Sequence, residues 1–342
     1  MGGGSYSDAA YTARSVHHAK TGTSFFKHDA DIRSGHVAAT VHASLDPAGL
    51  NKAGVKIRES RDSDEHPNSR AVAVIFDETG SMSEVPGVFK DALPKLMALL
   101  VKKGYLADPH VLLGAVGDAY SDRVPLQIGQ FESGNEMDEA LANIYLEGNG
   151  GGQQHESYAL AMYFMAKYTA MDCLEKRGQK GYLFMSGDEL PYGLGVYRNL
   201  PAVEKAQVKR LIGDDIQGDL TFDEVWKMLN DKFEVFWIFP KQGSYFNHRN
   251  VVEPLKKLFG ERFIALDEAS DICETIATAI GVAEGYDVND VTQALVDVGA
   301  DPAAAKRAGK ALALYSKSGA VMKGAKADGA LVATGSDAVE RL

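Results

Sequence analysis

The rhythm of apolar positions changes at Ala71. Upstream, residues 1–69 are polar, rich in Gly and Ser, hold six of the nine histidines and show no sustained apolar period. That texture predicts an extended arm, to which Val37, Val41 and Val55 add short strands, with the charged run 58–70 as a solvated connector. Downstream, the apolar runs AVAVIFD, HVLLGAVGD, YLFMSGD, FEVFWIFP and RFIALD alternate with amphipathic stretches. Near-continuous apolar strands suit a parallel sheet buried on both faces. Helical periods fall between them, over 87–103, 136–146, 156–176, 203–212, 222–231, 251–259 and 270–282. The order predicts an α/β fold, a doubly wound and mostly parallel central sheet with helices on both faces.

Three details refine that expectation. VPLQIGQF follows the second strand too closely for a helical crossover, which predicts an antiparallel edge strand. Pro94 lies inside the first helical period and predicts a kink or break. Beyond Gly285, residues 288–298 and 303–315 predict two short helices ahead of a Gly- and Ala-rich tail with scattered lysines. The expected organisation is a polar N-terminal arm over 1–69, one α/β domain over 70–285 and a C-terminal helical tail over 286–342. No internal repeat is evident.

Composition narrows the classes of function. The 342 residues, 45% hydrophobic and 24% charged, suffice for one substantial domain with appendages. The net charge of -11 is uneven, with +1 over residues 1–70, +3 over 301–342 and -15 between them. An acidic core argues against nucleic acid as the ligand. No stretch approaches the roughly 20 apolar residues of a membrane span. MGGGSYSDAAY lacks the apolar centre of a secretion signal, and Tyr6 stands where a myristoylation signal needs Ser or Thr. The expectation is a cytoplasmic protein with no membrane attachment. Cys173 and Cys273 sit in amphipathic helical stretches and are expected as buried apolar thiols, without a disulfide framework or zinc site.

The chemistry concentrates in AVAVIFDETGSMSE, where an apolar strand ends at Asp77 and runs directly into Thr79 and Ser81. One carboxylate and two hydroxyls on a tight loop at the carboxyl end of a parallel strand form half of a hard-oxygen site for Mg2+. Asp-x-Thr-x-Ser resembles the metal-ion-dependent adhesion site of the von Willebrand factor A family, written Asp-x-Ser-x-Ser, with Thr79 keeping the hydroxyl of the first Ser. In YLFMSGDEL a second apolar strand ends at Asp188, matching the family's last acidic ligand. Between them GNGGGQQHES matches the glycine-rich loop that supplies a Thr, or in one subgroup an Asp in Gly-Gly-Gly-Asp-x-x-Glu; Gln153 holds that position. The resemblance covers about 215 residues, including the segment GAVGDAYSDRVPLQIGQF. It implies a metal held by Asp77, Thr79, Ser81, Gln153 and Asp188, with Mg2+ as the ion and Mn2+ or Ca2+ as alternative occupants.

Plainer readings compete with each of these. Asp77 could cap the following helix, which leaves Asp188 unexplained. The glycine-rich loop lacks the Gly-Lys-Ser/Thr ending of a phosphate cradle. The arm histidines His17, His18, His28, His36 and His42 show no zinc spacing and are expected to be exposed. Asp118 and Asp122 fall near the same sheet edge, as groups orienting waters or as ordinary loop acids. Trp226, Trp237 and the aromatics of FEVFWIF have the spacing of core packing. The lysines Lys306, Lys310, Lys317, Lys323 and Lys326 suit either solvated helix faces or an acidic partner.

Three functions follow. The resemblance implies a non-enzymatic protein-binding module, whose cation is completed by an acidic side chain of a partner. Intracellular prokaryotic and phage members of the family often serve AAA+ ATPases of the MoxR type as adaptors, and such an ATPase is the expected partner. A second function is a static component of a phage or bacterial assembly. The third is a phosphohydrolase of the haloacid-dehalogenase kind, which needs a second Asp where Thr79 stands and so lacks its general acid.

Overall fold

The computed structural model describes residues 6–7, 9–10, 13, 16, 27–49, 56–82, 84–148 and 154–317; Val55, Gln153 and the tail beyond residue 317 lie outside them. Its strands are β1 (Arg58–Ser60), β2 (Ser69–Asp77), β3 (Asp108–Val116), β4 (Leu126–Ile128), β5 (His155–Glu156), β6 (Thr169–Met171), β7 (Gly181–Ser186), β8 (Leu190–Pro191), β9 (Phe233–Pro240) and β10 (Phe263–Leu266). Six of them form the central sheet in the order β10-β9-β7-β2-β3-β4. Every neighbouring pair is parallel except β3 with β4. This is the expected α/β architecture, with VPLQIGQF supplying the antiparallel edge.

All nine residues of β2 are buried, as a strand at the centre of a sheet covered on both sides requires. Alternation then assigns them to two cores. Val72, Val74 and Phe76 pack with the helices Val85–Ala92, Pro94–Lys103 and Ile272–Ala283, and with the C-terminal helices through Leu295, Ala305 and Leu312. Ala71, Ala73 and Ile75 face the helices Tyr158–Lys167, Phe222–Asn230 and Arg249–Phe259 on the opposite side. Pro94 does break the first helical period, leaving Leu93 between two helices, and Gly104 ends the second with a left-handed φ of 64°. Thr221 opens Phe222–Asn230 with a reciprocal capping box: its N–H donates to Glu224 Oε2 at 2.8 Å, and its hydroxyl accepts from Glu224 N at 3.4 Å. Cys173 and Cys273 are both buried and free.

Several expectations are corrected. The single helix expected over 156–176 is two helices, Tyr158–Lys167 and Asp172–Glu175, separated by β6. The separation exists because β6 pairs in parallel with β1, drawn from the run expected to be a solvated connector. The second half of the expected arm is therefore built into the body. Leu45 is in the core, and Ile128 N donates to its carbonyl at 2.9 Å. Arg58 is 1% exposed, donating to the carbonyls of Asp46 (2.9 Å) and Ile128 (3.2 Å) beside the Phe164 ring. Val37 and Val41 lie outside strands. His28 is buried rather than exposed, and its Nε2 lies 2.9 Å from the Thr40 carbonyl. The period 303–315 is divided at Leu312 into Pro302–Ala311 and Ala313–Lys317. No helix among the described residues is long and apolar enough to cross a membrane.

Candidate metal centre

The order of the sheet decides where a ligand crevice opens. From β2 the chain winds through β3 and β4 to one edge; from β7 it winds through β9 and β10 to the other. The carboxyl ends of β2 and β7 therefore flank the point of reversal, where side loops diverge and leave a crevice. Asp77 is the last residue of β2, and Asp188 follows β7 by two residues. The register Phe76↔Ser186 sets these two ends level.

After Asp77 the loop turns on its own side chains. Asp77 Oδ1 accepts from Thr79 N at 2.7 Å and from Thr79 Oγ1 at 2.6 Å, an Asx-type turn that points both side chains into the crevice. A short 3-10 turn over Gly80–Met82 then brings Ser81 Oγ to 3.2 Å from Thr79 Oγ1 and lets it donate to Asp188 Oδ1 at 2.7 Å. The loop after β9 holds this arrangement from the far side. Ser244 donates to the Ser81 carbonyl through N (3.1 Å) and Oγ (2.8 Å), and Tyr245 N donates to Asp188 Oδ2 at 3.2 Å. Gly243 permits the approach, since a Cβ there would lie 2.6 Å from Asp188 Cβ. Below, the Tyr158 hydroxyl donates to Asp77 Oδ2.

Asp77 and Asp188 are fully buried, Thr79 is 2% exposed, and Ser81 is half-buried, so the crevice opens on the Ser81 side. Neither carboxylate has an ion-pair partner among the described residues. Burial, with the Asp188 charge second, pushes Asp77 up to about 7 against the opposing hydrogen bonds of Thr79 and Tyr158. Burial likewise raises Asp188, opposed by Ser81 and by the backbone of Tyr245 and Ser244.

Two hydroxyl protons serve three oxygen–oxygen contacts here. With both carboxylates ionised, the protons of Thr79 and Ser81 go to Asp77 and Asp188, and the two hydroxyls face one another lone pair to lone pair. A cation relieves that arrangement. Oxygens bound at 2.0–2.1 Å in an octahedral shell stand about 3 Å apart along each edge, and the consecutive separations here are 2.6, 3.2 and 2.7 Å. The residues present thus fit a small hard dication. The donor set is two carboxylates with two hydroxyls; among the described residues no three His, Cys, Asp or Glu side chains form a ligand group. Of the five expected ligands, Asp77, Thr79, Ser81 and Asp188 are brought together, and Gln153 lies outside the described residues.

Other acids crowd the same crevice. The two-residue parallel pair of β5 and β8 sets Glu156 opposite Pro191 and brings its carboxyl to that of Glu189. Both glutamates are 2% exposed. Burial, then the charges of Asp77 and Glu189, raise Glu156 far above the carboxylate range. Burial lifts Glu189 to about 8. Asp118, fully buried, accepts from Ser157 Oγ and Tyr192 OH, both at 3.1 Å, which ties its loop to the site. Asp122 Oδ2 accepts from Asp118 N at 2.6 Å. Sequence reasoning missed both glutamates: Glu156 lies inside the glycine-rich motif and Glu189 adjoins Asp188, the signals by which they could have been found. Nothing in the sequence marks Tyr158, whose contact arises from tertiary packing.

No family model matches the chain, and no curated protein matches it. Among solved structures, the pilus adhesin SpaC of Lactobacillus rhamnosus GG in its open conformation is similar at 12% identity and a TM-score of 0.38, over 70% of this chain and 31% of that one. A second form of SpaC matches at 12% identity and a TM-score of 0.40, over 70% of this chain and 32% of that one. The chain spans about a third of the length of these structures.

Proposed function

We propose that this chain is a protein-binding module of the von Willebrand factor A type, in which Asp77, Thr79, Ser81 and Asp188 hold a divalent cation. The observation that supports it is the continuous run of four oxygens from two loops, spaced at 2.6, 3.2 and 2.7 Å and ending on two buried carboxylates without cationic partners. Mg2+ suits the spacing, and Mn2+ and Ca2+ are the ions to test beside it. The bound ion would supply a positive centre with an exchangeable position, which an acidic side chain of a partner protein can enter. The half-buried Ser81 side is where that side chain would approach. A MoxR-type AAA+ ATPase in the cytoplasm is the partner class suggested by the resemblance of Asp-x-Thr-x-Ser and its companion loops.

A phosphohydrolase is the weaker reading, because Thr79 donates to Asp77 Oδ1 where that chemistry requires a second carboxyl. The test is affinity capture with the intact chain in Mg2+ and in EDTA, read by mass spectrometry. A partner retained in Mg2+ and released by EDTA, and lost with Asp77→Ala, supports the module. A stoichiometric partner indifferent to EDTA supports a static assembly component instead.

A further inference from the structure

Residues 144–148, which lead into the glycine-rich loop, belong to no helix or strand, and side chains from three other segments hold them. Gln127 of β4 fixes Tyr145, accepting from its N–H at 2.8 Å and donating to its carbonyl at 2.7 Å. Glu147 N donates at 2.5 Å to Oε2 of Glu78, the buried residue between Asp77 and Thr79. Leu146, between these two, is held from the N-terminal arm. Its N–H donates to Asp29 Oδ1 at 3.2 Å, and its carbonyl accepts from Arg33 Nη2 at 2.5 Å. Arg33 Nε closes the triangle by donating to Asp29 Oδ2 at 2.8 Å. Asp29 and Arg33 lie one turn apart on the helix Lys27–Arg33, whose one buried residue is His28. A helix with so little burial sits at the low-stability end of a fold, where local opening costs least.

Resting on the reading above, we propose that the helix Lys27–Arg33 is a latch on the candidate metal centre, closed when Asp29 and Arg33 grip Leu146. The path from latch to centre is short. Leu146 adjoins Glu147, Glu147 bonds the Glu78 carboxyl, and Glu78 adjoins Asp77. In the other direction Gly148, with a left-handed φ of 68°, turns the chain into the glycine-rich loop. Opening the helix removes both partners of Leu146 and leaves the approach pinned at Tyr145 and Glu147 alone. Order lost in that way has to be regained when an ion binds, so the closed latch raises affinity without touching the metal. Asp29 and Arg33 are therefore positioning residues. Linkage makes the effect reciprocal, and a bound dication holds the latch closed by the same factor.

The test is hydrogen exchange of the full chain, followed over residues 27–33 in saturating Mg2+ and in EDTA. Calorimetric Mg2+ titration of the wild type, Asp29→Ala, Arg33→Ala and Asp29→Asn accompanies it. Mg2+ should slow exchange of the helix about tenfold, and the alanine variants should bind Mg2+ more weakly by the same factor. Asp29→Asn keeps an acceptor for Leu146 N and should retain more of the affinity than Asp29→Ala. Thermal melting in EDTA shows that the variants fold, and the wild-type exchange result stands without them. Exchange indifferent to Mg2+, in a wild type that binds the ion, would overturn the latch and leave the centre in place. Wild-type affinity in both alanine variants would do the same. A wild type that binds no Mg2+ would overturn the centre and the latch with it.

Discussion

The Ser81 hydroxyl donates to Asp188 Oδ1 at 2.7 Å across 107 residues of chain. Two crossovers of the sheet must be completed before these groups can meet, so the contact is a property of the fold rather than of either loop. It joins the two halves of the candidate centre and makes its geometry dependent on what holds each half in place.

Tyr158 holds the Asp77 half. Tyr158→Phe removes the donor to Asp77 Oδ2 while keeping the ring that packs edge-on to Trp237 with centroids 4.9 Å apart. Mg2+ affinity should fall by about tenfold, the usual loss when a group orienting a ligand is removed. Because that hydrogen bond lowers the Asp77 pKa, the carboxyl should also titrate at higher pH in the variant, readable by carbon NMR of labelled aspartate. An unchanged titration would place Tyr158 outside the centre.

Gly243 holds the Asp188 half. In Gly243→Ala the new Cβ would lie 2.6–2.9 Å from Asp188 Cβ, Oδ2 and Cγ, so the carboxylate has to move. Overpacking of this kind costs about 1–3 kcal/mol of stability, measurable by urea denaturation. Metal affinity should fall with it. Wild-type affinity in this variant would show that the position of Asp188 is not critical.

The pH response has a definite sign. Burial and the Asp188 charge raise folded-state Asp77 from 3.8 to about 7, so the metal-free folded protein binds a proton that the unfolded chain has released. The stability contributed by this group is fully present below its ordinary value of 3.8 and is lost as pH rises through about 7. A cation reverses the dependence because it needs Asp77 ionised. Mg2+ affinity should climb as pH approaches about 7 and level off above it, with proton release at about pH 6 seen as a binding enthalpy that depends on the buffer. A flat affinity profile would contradict the assignment of Asp77.

Arg58 tests whether the segment before the sheet belongs to the folded body. Its guanidinium bridges the carbonyls of Asp46 and Ile128, and burial lowers its pKa to about 10. Arg58→Ala should destabilise the protein by about 2–4 kcal/mol, through orphaned carbonyls and lost packing. A change within about 0.5 kcal/mol, typical of an exposed position, would restore the picture of a detached arm.

Legibility in the sequence followed burial. β2, β3, β7 and β9 are covered on both faces, so their apolar runs announced them, and Pro94 announced the helix break by its missing N–H. β1 and β6 were hidden because each is three residues long and β1 reads Arg-Glu-Ser, a strand defined by its partner and not by its own pattern. Tyr158–Lys167 is buried along nearly its whole length, so it carried too little amphipathic contrast to show where it ends. In the site, Asp77, Thr79, Ser81 and Asp188 were legible because they cluster at strand ends with oxygen side chains. The pairing of Glu156 with Glu189 depends on a two-residue bridge between β5 and β8, which no local pattern encodes.

The most direct test of the account is calorimetric titration of the intact chain with Mg2+ beside Asp77→Ala, with circular dichroism on both. The wild type should bind one ion saturably and Asp77→Ala none, with the same folded spectrum for each. Binding retained by a folded Asp77→Ala, or no binding by the wild type above about pH 7, where Asp77 is ionised, would contradict it.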